Sequence, residues 1–382
     1  MFFPRSPRMS QAVRLVREGR LGEATAALQG MLRGAEAAHE APRPDSASAR
    51  IVDVDPDTGE VLPPRASSAR FDTAGFLGGL AGRVGEAGHV APGHVPGAGG
   101  AQFTARTHTG AHGSRGYKLY VPSAAPDRPL PLIVMLHGCT QSPDDFAAGT
   151  GMNRLAEAQG FLVAYPGQTK AANAQKCWNW FNPADQRRDH GEPALIAGIT
   201  REVMARHAVD PRRIYVAGLS AGGAAAAIMG AAYPELYAAV GVHSGLPCGA
   251  ARDVPSAFAA MRDGGQMPPP SKGARTRMVP TIVFHADKDS TVHPRNAEHI
   301  IAQSVGGTGL QPSVTRGQVP GGRTYTRSVY ADTNGRPMLE RWIVHGGGHA
   351  WSGGDVQGSY TDPLGPDASR EMLRFFLEHQ HG

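Results

Sequence analysis

The stretch IYVAGLSAGGAAAAIMG, residues 214–230, combines a short apolar run, a glycine-containing turn and a run of small residues. Its first four residues are typical of a buried strand, and the alanine-rich segment that follows predicts a helix. Between them, Gly-Leu-Ser-Ala-Gly matches the nucleophile elbow, a turn that lifts one serine hydroxyl above a sheet. Gly218 and Gly222 allow two backbone segments to pass where a Cβ would clash. We therefore predict a strand–turn–helix unit that presents Ser220; the alternative is an ordinary glycine-rich turn.

Strand and helix patterns alternate over the C-terminal two thirds of the chain. Besides the unit at 214–230, apolar or alternating runs predict strands near residues 117–122, 130–136, 161–165, 238–242, 279–285 and 339–344. Helical spacing occurs near residues 146–158, 194–207, 296–304 and 368–379. Such alternation favours an α/β fold with a mostly parallel sheet and helices on both faces. We predict one domain of this class over residues 115–382.

The first third of the chain has a different composition. Apolar residues at helical spacing, interrupted at Gly19, predict a helical hairpin over residues 1–33. A single unit of this kind is too small to form a stable repeat fold, so we expect it to dock on the domain or to bind a partner. Residues 34–114 are rich in Ala, Gly, Pro, Arg and His, which predicts a largely disordered linker.

Overall composition narrows the classes of function. The 382 residues carry a formal net charge of +5 without a basic block, so nucleic-acid binding is not expected. The histidines of the linker are not spaced like zinc ligands, and no metal or cofactor is expected. No apolar run approaches the ~18 residues that span a bilayer, and the N-terminus lacks a signal-peptide pattern. We therefore expect a cytoplasmic protein without a membrane span.

Three cysteines are present, namely Cys139, Cys177 and Cys248. They allow at most one internal disulfide, and thiols are the expectation for a cytosolic protein. Whether Cys139 and Cys177 pair stays open at this point.

Two carboxylates follow the strand predicted at residues 279–285. A serine nucleophile needs a base, and the base needs an orienting acid. In α/β-hydrolase folds the chain order is serine, acid, histidine. Asp287 and Asp289 both lie in the loop after that strand, at the sheet edge where Ser220 emerges. We favour Asp289 because it lies deeper in the loop.

The base is expected at His349. The segment GGGHAW, residues 346–351, follows the last predicted strand, and its glycines give the backbone freedom to place one imidazole. Trp351 can form a wall of the site. Four other histidines lie at strand ends and are expected to be buried or hydrogen-bonded structural residues: His137, His243, His285 and His345.

The loop HGCTQ, residues 137–141, follows an apolar strand, which is the position of an oxyanion-binding loop. A developing oxyanion needs two aimed backbone N–H groups. We expect them to come from Cys139 and from Ala221, the residue after the nucleophile. The aromatic cluster CWNWF, residues 177–181, either lines a substrate cleft or packs beneath a loop.

Taken together, these segments resemble the polyhydroxybutyrate depolymerase-type esterases, relatives of the carbohydrate esterase family 1 feruloyl and acetylxylan esterases. The matching segments are LHGCTQ (136–141), CWNWF (177–181), GLSAGG (218–223), VHSGLP (242–247), HADKDSTV (285–292) and GGGHAWSGG (346–354). The resemblance covers the chain from about residue 115 onward. It implies an α/β-hydrolase fold with Ser220 as nucleophile, Asp289 as acid, His349 as base and the Cys139 amide in the oxyanion hole. It also implies that Trp178 borders the acyl-binding cleft.

We expect the protein to differ from secreted, polymer-degrading members in three ways. It is expected to lack a signal peptide and a C-terminal polymer-binding domain, and it has Ala286 where glycine is more usual. We expect a serine esterase acting on short hydroxyalkanoate oligomers, a polymer surface, or small aryl or acetyl esters. The alternatives are a feruloyl or acetylxylan esterase, a peptidase with the same triad, and a non-enzymatic role led by the N-terminal hairpin. An extracellular location, as for many relatives, is the alternative to the cytoplasm.

Overall fold

The computed structural model describes residues 100–123, 128–265, 278–305, 310 and 312–382. The strands are β1 Gln102–Gly110, β2 Gly113–Val121, β3 Leu130–Leu136, β4 Leu162–Pro166, β5 Val209–Leu219, β6 Ala239–His243, β7 Thr281–Ala286, β8 Pro312–Gln318, β9 Thr324–Ala331, β10 Pro337–Val344, β11 Trp351–Ser352 and β12 Thr361–Asp362. The α-helices are α1 Pro143–Thr150, α2 Met152–Gln159, α3 Gly191–Arg206, α4 Ala221–Ala232, α5 Val254–Asp263, α6 Arg295–Val305 and α7 Ala368–Leu377. The predicted hairpin at residues 1–33 lies outside the described residues.

Within these ranges, ten strands form one sheet in the order β1-β2-β4-β3-β5-β6-β7-β10-β9-β8. The six central strands, from β4 to β10 in that order, are parallel. Antiparallel strands flank them, with β1 and β2 at one edge and β9 and β8 at the other. The predicted mostly parallel α/β sheet is confirmed, and the sequence analysis missed β1, β8 and β9.

Helices cover both faces of the sheet. Along β3, Leu132 and Val134 point into one hydrophobic core and Ile133 and Met135 into the other. Side chains alternate between faces along a strand, so a central strand buried on both sides reads as one continuous apolar run. Helices α3, α4, α5 and α6 contribute to the first core, whereas α1, α2 and α7 contribute to the second. No helix among the described residues is long and apolar enough to cross a membrane.

The predicted linker, residues 34–114, extends too far towards the C-terminus. Residues 102–110, assigned from composition to a disordered linker, form β1, which pairs with β2 in antiparallel register from Gln102↔Val121 to Gly110↔Gly113. The cause lies in tertiary contacts: Phe103 packs against Tyr120 and Tyr165, with ring centroids 6.3 and 5.7 Å away. One aromatic anchor and a complete ladder stabilise an otherwise polar edge strand. Residues 34–99 of the predicted linker lie outside the described residues.

The helix predicted at residues 146–158 is two helices. Gly151 ends α1 in the left-handed region, with φ of 61°, and its N–H donates to the Ala147 carbonyl at 3.1 Å. Glycine adopts this conformation at little cost, so the chain turns there and α2 begins at the next residue.

Candidate active site

Ser220 lies on the turn between β5 and α4. Its backbone has φ of 57° and ψ of −119°, a strained conformation for a residue with a Cβ. The Ser220 N–H donates to the His243 carbonyl at 2.9 Å, which anchors the turn to the end of β6. The next amide, that of Ala221, begins α4 and has no acceptor among the described residues. The turn therefore presents a hydroxyl and a free N–H at the positive end of a helix.

The two glycines of the turn are required by close backbone contacts. A Cβ on Gly222 would lie 2.6 Å from the His137 carbonyl oxygen and closer still to that of Leu136. A Cβ on Gly218 would overlap the backbone of Gly222. The turn can approach β3 this closely only without these side chains.

An imidazole and a carboxylate meet at the ends of β10 and β7. His349 Nδ1 lies 2.7 Å from Asp289 Oδ2, although 60 residues separate them in sequence. The Asp289 side chain is fully buried and that of His349 is 11% exposed. Burial alone raises the pKa of the Asp289 carboxyl, but hydrogen bonds from His285 and His349 outweigh it and hold the pKa well below its usual range. Asp289 is therefore ionised and can hold the His349 proton on Nδ1.

The second carboxylate of the loop has a different partner. Asp287 Oδ2 lies 2.9 Å from His345 Nδ1, and its Oδ1 accepts from the Gly346 N–H at 2.7 Å. His345 Nε2 lies 2.8 Å from Thr326 Oγ1. These contacts hold the start of the loop that carries His349. Of the two acids weighed from the sequence, the structure brings only Asp289 to His349.

His243 connects the serine turn to the histidine loop. Its carbonyl accepts from Ser220, and its Nε2 accepts from the Ser352 N–H at 2.9 Å, three residues beyond His349. Burial lowers the pKa of His243 to about 3, so the ring is neutral and can accept this bond.

The loop after β3 leaves one amide free between two that are bonded. The Gly138 N–H donates to Gln141 Oε1 at 2.9 Å, and the Thr140 N–H donates to the Gln175 carbonyl at 2.6 Å. No hydrogen bond from the Cys139 amide occurs among the described residues. A Cβ built on Gly138 would lie 3.6 Å from Ser220 Cβ, so Gly138 lies against Ser220. The free N–H of the next residue, Cys139, therefore borders the serine turn. An acyl-transfer site requires such a donor.

A disulfide joins Cys139 to Cys177, which answers the question that the sequence left open. Two further bonds connect the same loops: the Trp178 indole N–H donates to the His137 carbonyl at 3.1 Å, and the Gln168 N–H donates to His137 Nε2 at 3.0 Å. Burial lowers the pKa of His137 to about 4, so this ring is also neutral. The free amide of Cys139 is therefore fixed by covalent and hydrogen-bonded contacts. Cys248 is the remaining cysteine and is free.

The two tryptophans expected at the substrate are buried. Trp178 is 0% exposed and Trp351 1%. The Trp351 indole donates to Ser369 Oγ at 3.0 Å and packs against Phe146 and His243. Both side chains support loops from beneath, so their placement gives no support to the predicted contact with substrate.

Two buried polar residues around the site escaped the sequence analysis. Gln141 bonds Gly138 on one side and donates to Asp145 Oδ2 at 2.9 Å and to the Ser359 carbonyl at 3.1 Å on the other. Glu192, at the start of α3, accepts from the Asn179 N–H at 2.7 Å, and burial raises the pKa of its carboxyl. In the sequence, the position of these polar residues within or near the motif segments was the available signal of a role at the site. Their hydrogen-bond partners, however, include residues far away in sequence.

The four strand-end histidines are buried or hydrogen-bonded, as predicted. Their nearness to the site is the new information, above all for His285, whose Nε2 lies 3.3 Å from Asp289 Oδ2. In the part of the chain that the structure describes, no group of three or more His, Cys, Asp or Glu side chains is arranged to hold a metal ion.

Comparisons with known proteins identify relatives of this chain. The family model described as esterase PHB depolymerase matches residues 115–320. Poly(3-hydroxyalkanoate) depolymerase C of Paucimonas lemoignei is 34% identical over 239 residues, which are 60% of this chain and 57% of the relative. Feruloyl esterase B of Neurospora crassa is 28% identical over 275 residues, which are 67% of this chain and 86% of the relative.

Among solved structures, acetyl xylan esterase from Aspergillus awamori matches with a TM-score of 0.58 at 21% identity, over 73% of this chain and all of that chain. This likeness supports the α/β-hydrolase fold. The chain spans just over half the length of the P. lemoignei enzyme. The family match covers more than half of the chain, including most of β2, all of β3 to β8 and the Ser220 turn. The chain therefore belongs to the esterase PHB depolymerase family.

Proposed function

We propose that the protein hydrolyses carboxylic esters through an acyl-serine intermediate, with Ser220 as nucleophile, His349 as base and Asp289 as acid. The observation that carries the proposal is the buried His349–Asp289 pair, 2.7 Å apart and connected through His243 to the Ser220 turn. This set of groups is the one that acyl transfer to a serine requires.

In the first half of the reaction, Ser220 Oγ attacks the ester carbonyl carbon while His349 Nε2 takes the hydroxyl proton. Asp289 keeps the other imidazole proton on Nδ1 and stabilises the imidazolium. The amides of Cys139 and Ala221 donate to the oxyanion of the tetrahedral intermediate. His349 then protonates the leaving alcohol, and in the second half it activates water that releases the acid from Ser220.

Replacement of the nucleophile tests the proposal. Ser220→Ala is expected to lower kcat for p-nitrophenyl butyrate by about 10⁶-fold, to the level that binding and the oxyanion donors alone sustain. Ser290→Ala, in the exposed part of the acid loop, is the matched control and should retain activity. A Ser220→Ala variant that folds and turns over at the control rate refutes the assignment.

The names of two relatives support a proposal for the substrate class. One relative is named as a poly(3-hydroxyalkanoate) depolymerase and another as a feruloyl esterase. We favour hydroxyalkanoate oligomers over feruloyl esters as substrates, because the first of these relatives has the higher identity. A panel of hydroxybutyrate oligomers, feruloyl esters and acetylated xylan tests this choice, and a preference for feruloyl esters by kcat/KM overturns it.

The Cys139–Cys177 disulfide favours an oxidising compartment for the protein over the cytoplasm. A thiol count on denatured, unreduced protein from its native source measures this. One thiol per chain supports the proposal, and three contradict it.

A further inference from the structure

We infer that His285 is a positioning residue for the Asp289–His349 pair: its Nε2–H holds the Val292 carbonyl and the Asp289 carboxylate in the arrangement that His349 needs. The inference rests on the proposed function. His285 is the second-last residue of β7 and is 1% exposed. Its Nε2 lies 2.8 Å from the Val292 carbonyl oxygen and 3.3 Å from Asp289 Oδ2.

The hydrogen-bond partners determine which nitrogen of His285 carries the proton. A carbonyl oxygen only accepts, so the hydrogen is on Nε2, where it bonds the Val292 carbonyl oxygen at 2.8 Å, and Asp289 Oδ2 lies 3.3 Å from the same nitrogen. His285 Nδ1 is buried and has no partner among the described residues. A proton on Nδ1 would therefore be a buried donor without an acceptor, and the neutral Nε2–H tautomer is the one that fits.

The unpartnered nitrogen shows that packing alone does not explain the residue. Burial of a polar atom without a partner destabilises the folded protein, and an apolar side chain of similar size would avoid this cost. What His285 supplies and an apolar residue cannot is the N–H at the other side of the ring.

That N–H closes a ring of contacts around the carboxylate. Val292 donates its own N–H to Asp289 Oδ1 at 2.9 Å while its carbonyl accepts from His285. Thr291 donates a second amide to Oδ1 at 2.9 Å, and His349 and His285 share Oδ2. The acid loop is therefore folded around its own carboxylate, with His285 beneath it.

The ionisable groups that act on Asp289 are His349 from the loop after β10, His285 from β7 and His243 from β6. Burial lowers the pKa of His243 to about 3, so that ring stays neutral across the working pH range. Removal of the His285 N–H takes away the polar donor that lies 3.3 Å from Asp289 Oδ2. More of its negative charge then acts on His349, which stabilises the imidazolium.

A pair of variants separates the hydrogen bond from the packing. His285→Gln keeps an N–H donor, and His285→Met has nearly the same length without one. Each is made in Ser220→Ala protein, and the His349 ring is followed by NMR against pH, with its signal assigned by His349→Asn. We expect the midpoint of the His349 titration to rise by about half a pH unit in His285→Met and to stay at the parent value in His285→Gln.

The same substitutions in the active protein give a kinetic readout. The acid limb of the kcat/KM profile should move to higher pH in His285→Met, with an approximately threefold loss on the acid side. Equal titration midpoints in the Met and Gln variants and the parent overturn the inference. If His285→Met does not fold, His285→Phe replaces it, because it fills the space of the ring without a donor.

The NMR experiment needs no turnover, so the two proposals can fail separately. Absence of esterase activity in the unsubstituted protein refutes the proposed function, whereas a His349 titration that does not respond to the loss of the donor refutes the role of His285.

Discussion

Asp289→Asn isolates the orienting role of the acid with little change in volume. The side-chain amide has one oxygen and one NH₂ group where the carboxylate has two acceptors. Oδ1 of Asp289 accepts from the backbone N–H groups of Thr291 and Val292, both at 2.9 Å, and these donors cannot reverse. The NH₂ group must therefore face His349. The imidazole adapts by accepting on Nδ1, which moves its proton to Nε2 and removes the base that Ser220 needs.

The expected loss follows from this change of tautomer. In a serine triad the wrong imidazole tautomer lowers kcat about 10⁴-fold, which corresponds to about 5 kcal/mol of transition-state stabilisation. Asp287→Asn is the matched control. Asp287 and His345 have side chains 36% and 38% exposed, and a contact at such a position contributes no more than about 1 kcal/mol. We expect Asp287→Asn to lower kcat about fivefold at most.

Initial rates with p-nitrophenyl butyrate across pH 6–9, together with thermal unfolding of each variant, measure the difference. Matched melting temperatures show that the rates report chemistry and not loss of folded protein. A larger loss in Asp287→Asn, or a loss below about tenfold in Asp289→Asn, refutes the assignment of the acid and with it the tautomer argument.

Three further predictions concern the support of the site. Cys177→Ser opens the disulfide beside the free Cys139 amide and should lower kcat by up to ~10²-fold, the cost of one oxyanion donor. Cys248→Ser is the control and should leave kcat unchanged. Equal kcat values in the two variants contradict a role of the disulfide in holding the Cys139 amide. Burial lowers the pKa of His137 to about 4 and that of His243 to about 3, so the unfolded chain binds protons that the folded chain does not. The melting temperature should fall as the pH drops from about 6.5 towards 4, with a loss of up to about 3 kcal/mol for His137, and a constant value from pH 7 to 5 contradicts this. Gly222→Ala should abolish folding as judged by circular dichroism, because its Cβ would meet backbone carbonyls; a folded, active variant shows that the turn can relax.

Much of the fold was predictable because its signals are local. The continuous apolar run of β3 matches its predicted bounds, 130–136, since burial on both faces leaves no polar position in the strand. Strand β1 was missed for the opposite reason. Only its pairing with β2 and the contacts of Phe103 stabilise it, and neither is visible in a polar segment with few large apolar residues.

The sequence by itself determined the elbow at Ser220, since glycine spacing and a strand–helix junction are properties of consecutive residues. It also placed both candidate acids and the histidine at strand ends that share one edge of the sheet. Only the tertiary structure decided the pairing. Strands β7 and β10 are parallel neighbours in which Val344 lies opposite Ala286, so the next residues, His345 and Asp287, meet each other. Beyond these residues, the two loops bring His349 and Asp289 into contact. That contact depends on the register between strands about 60 residues apart in sequence, and local residue spacing does not encode this register.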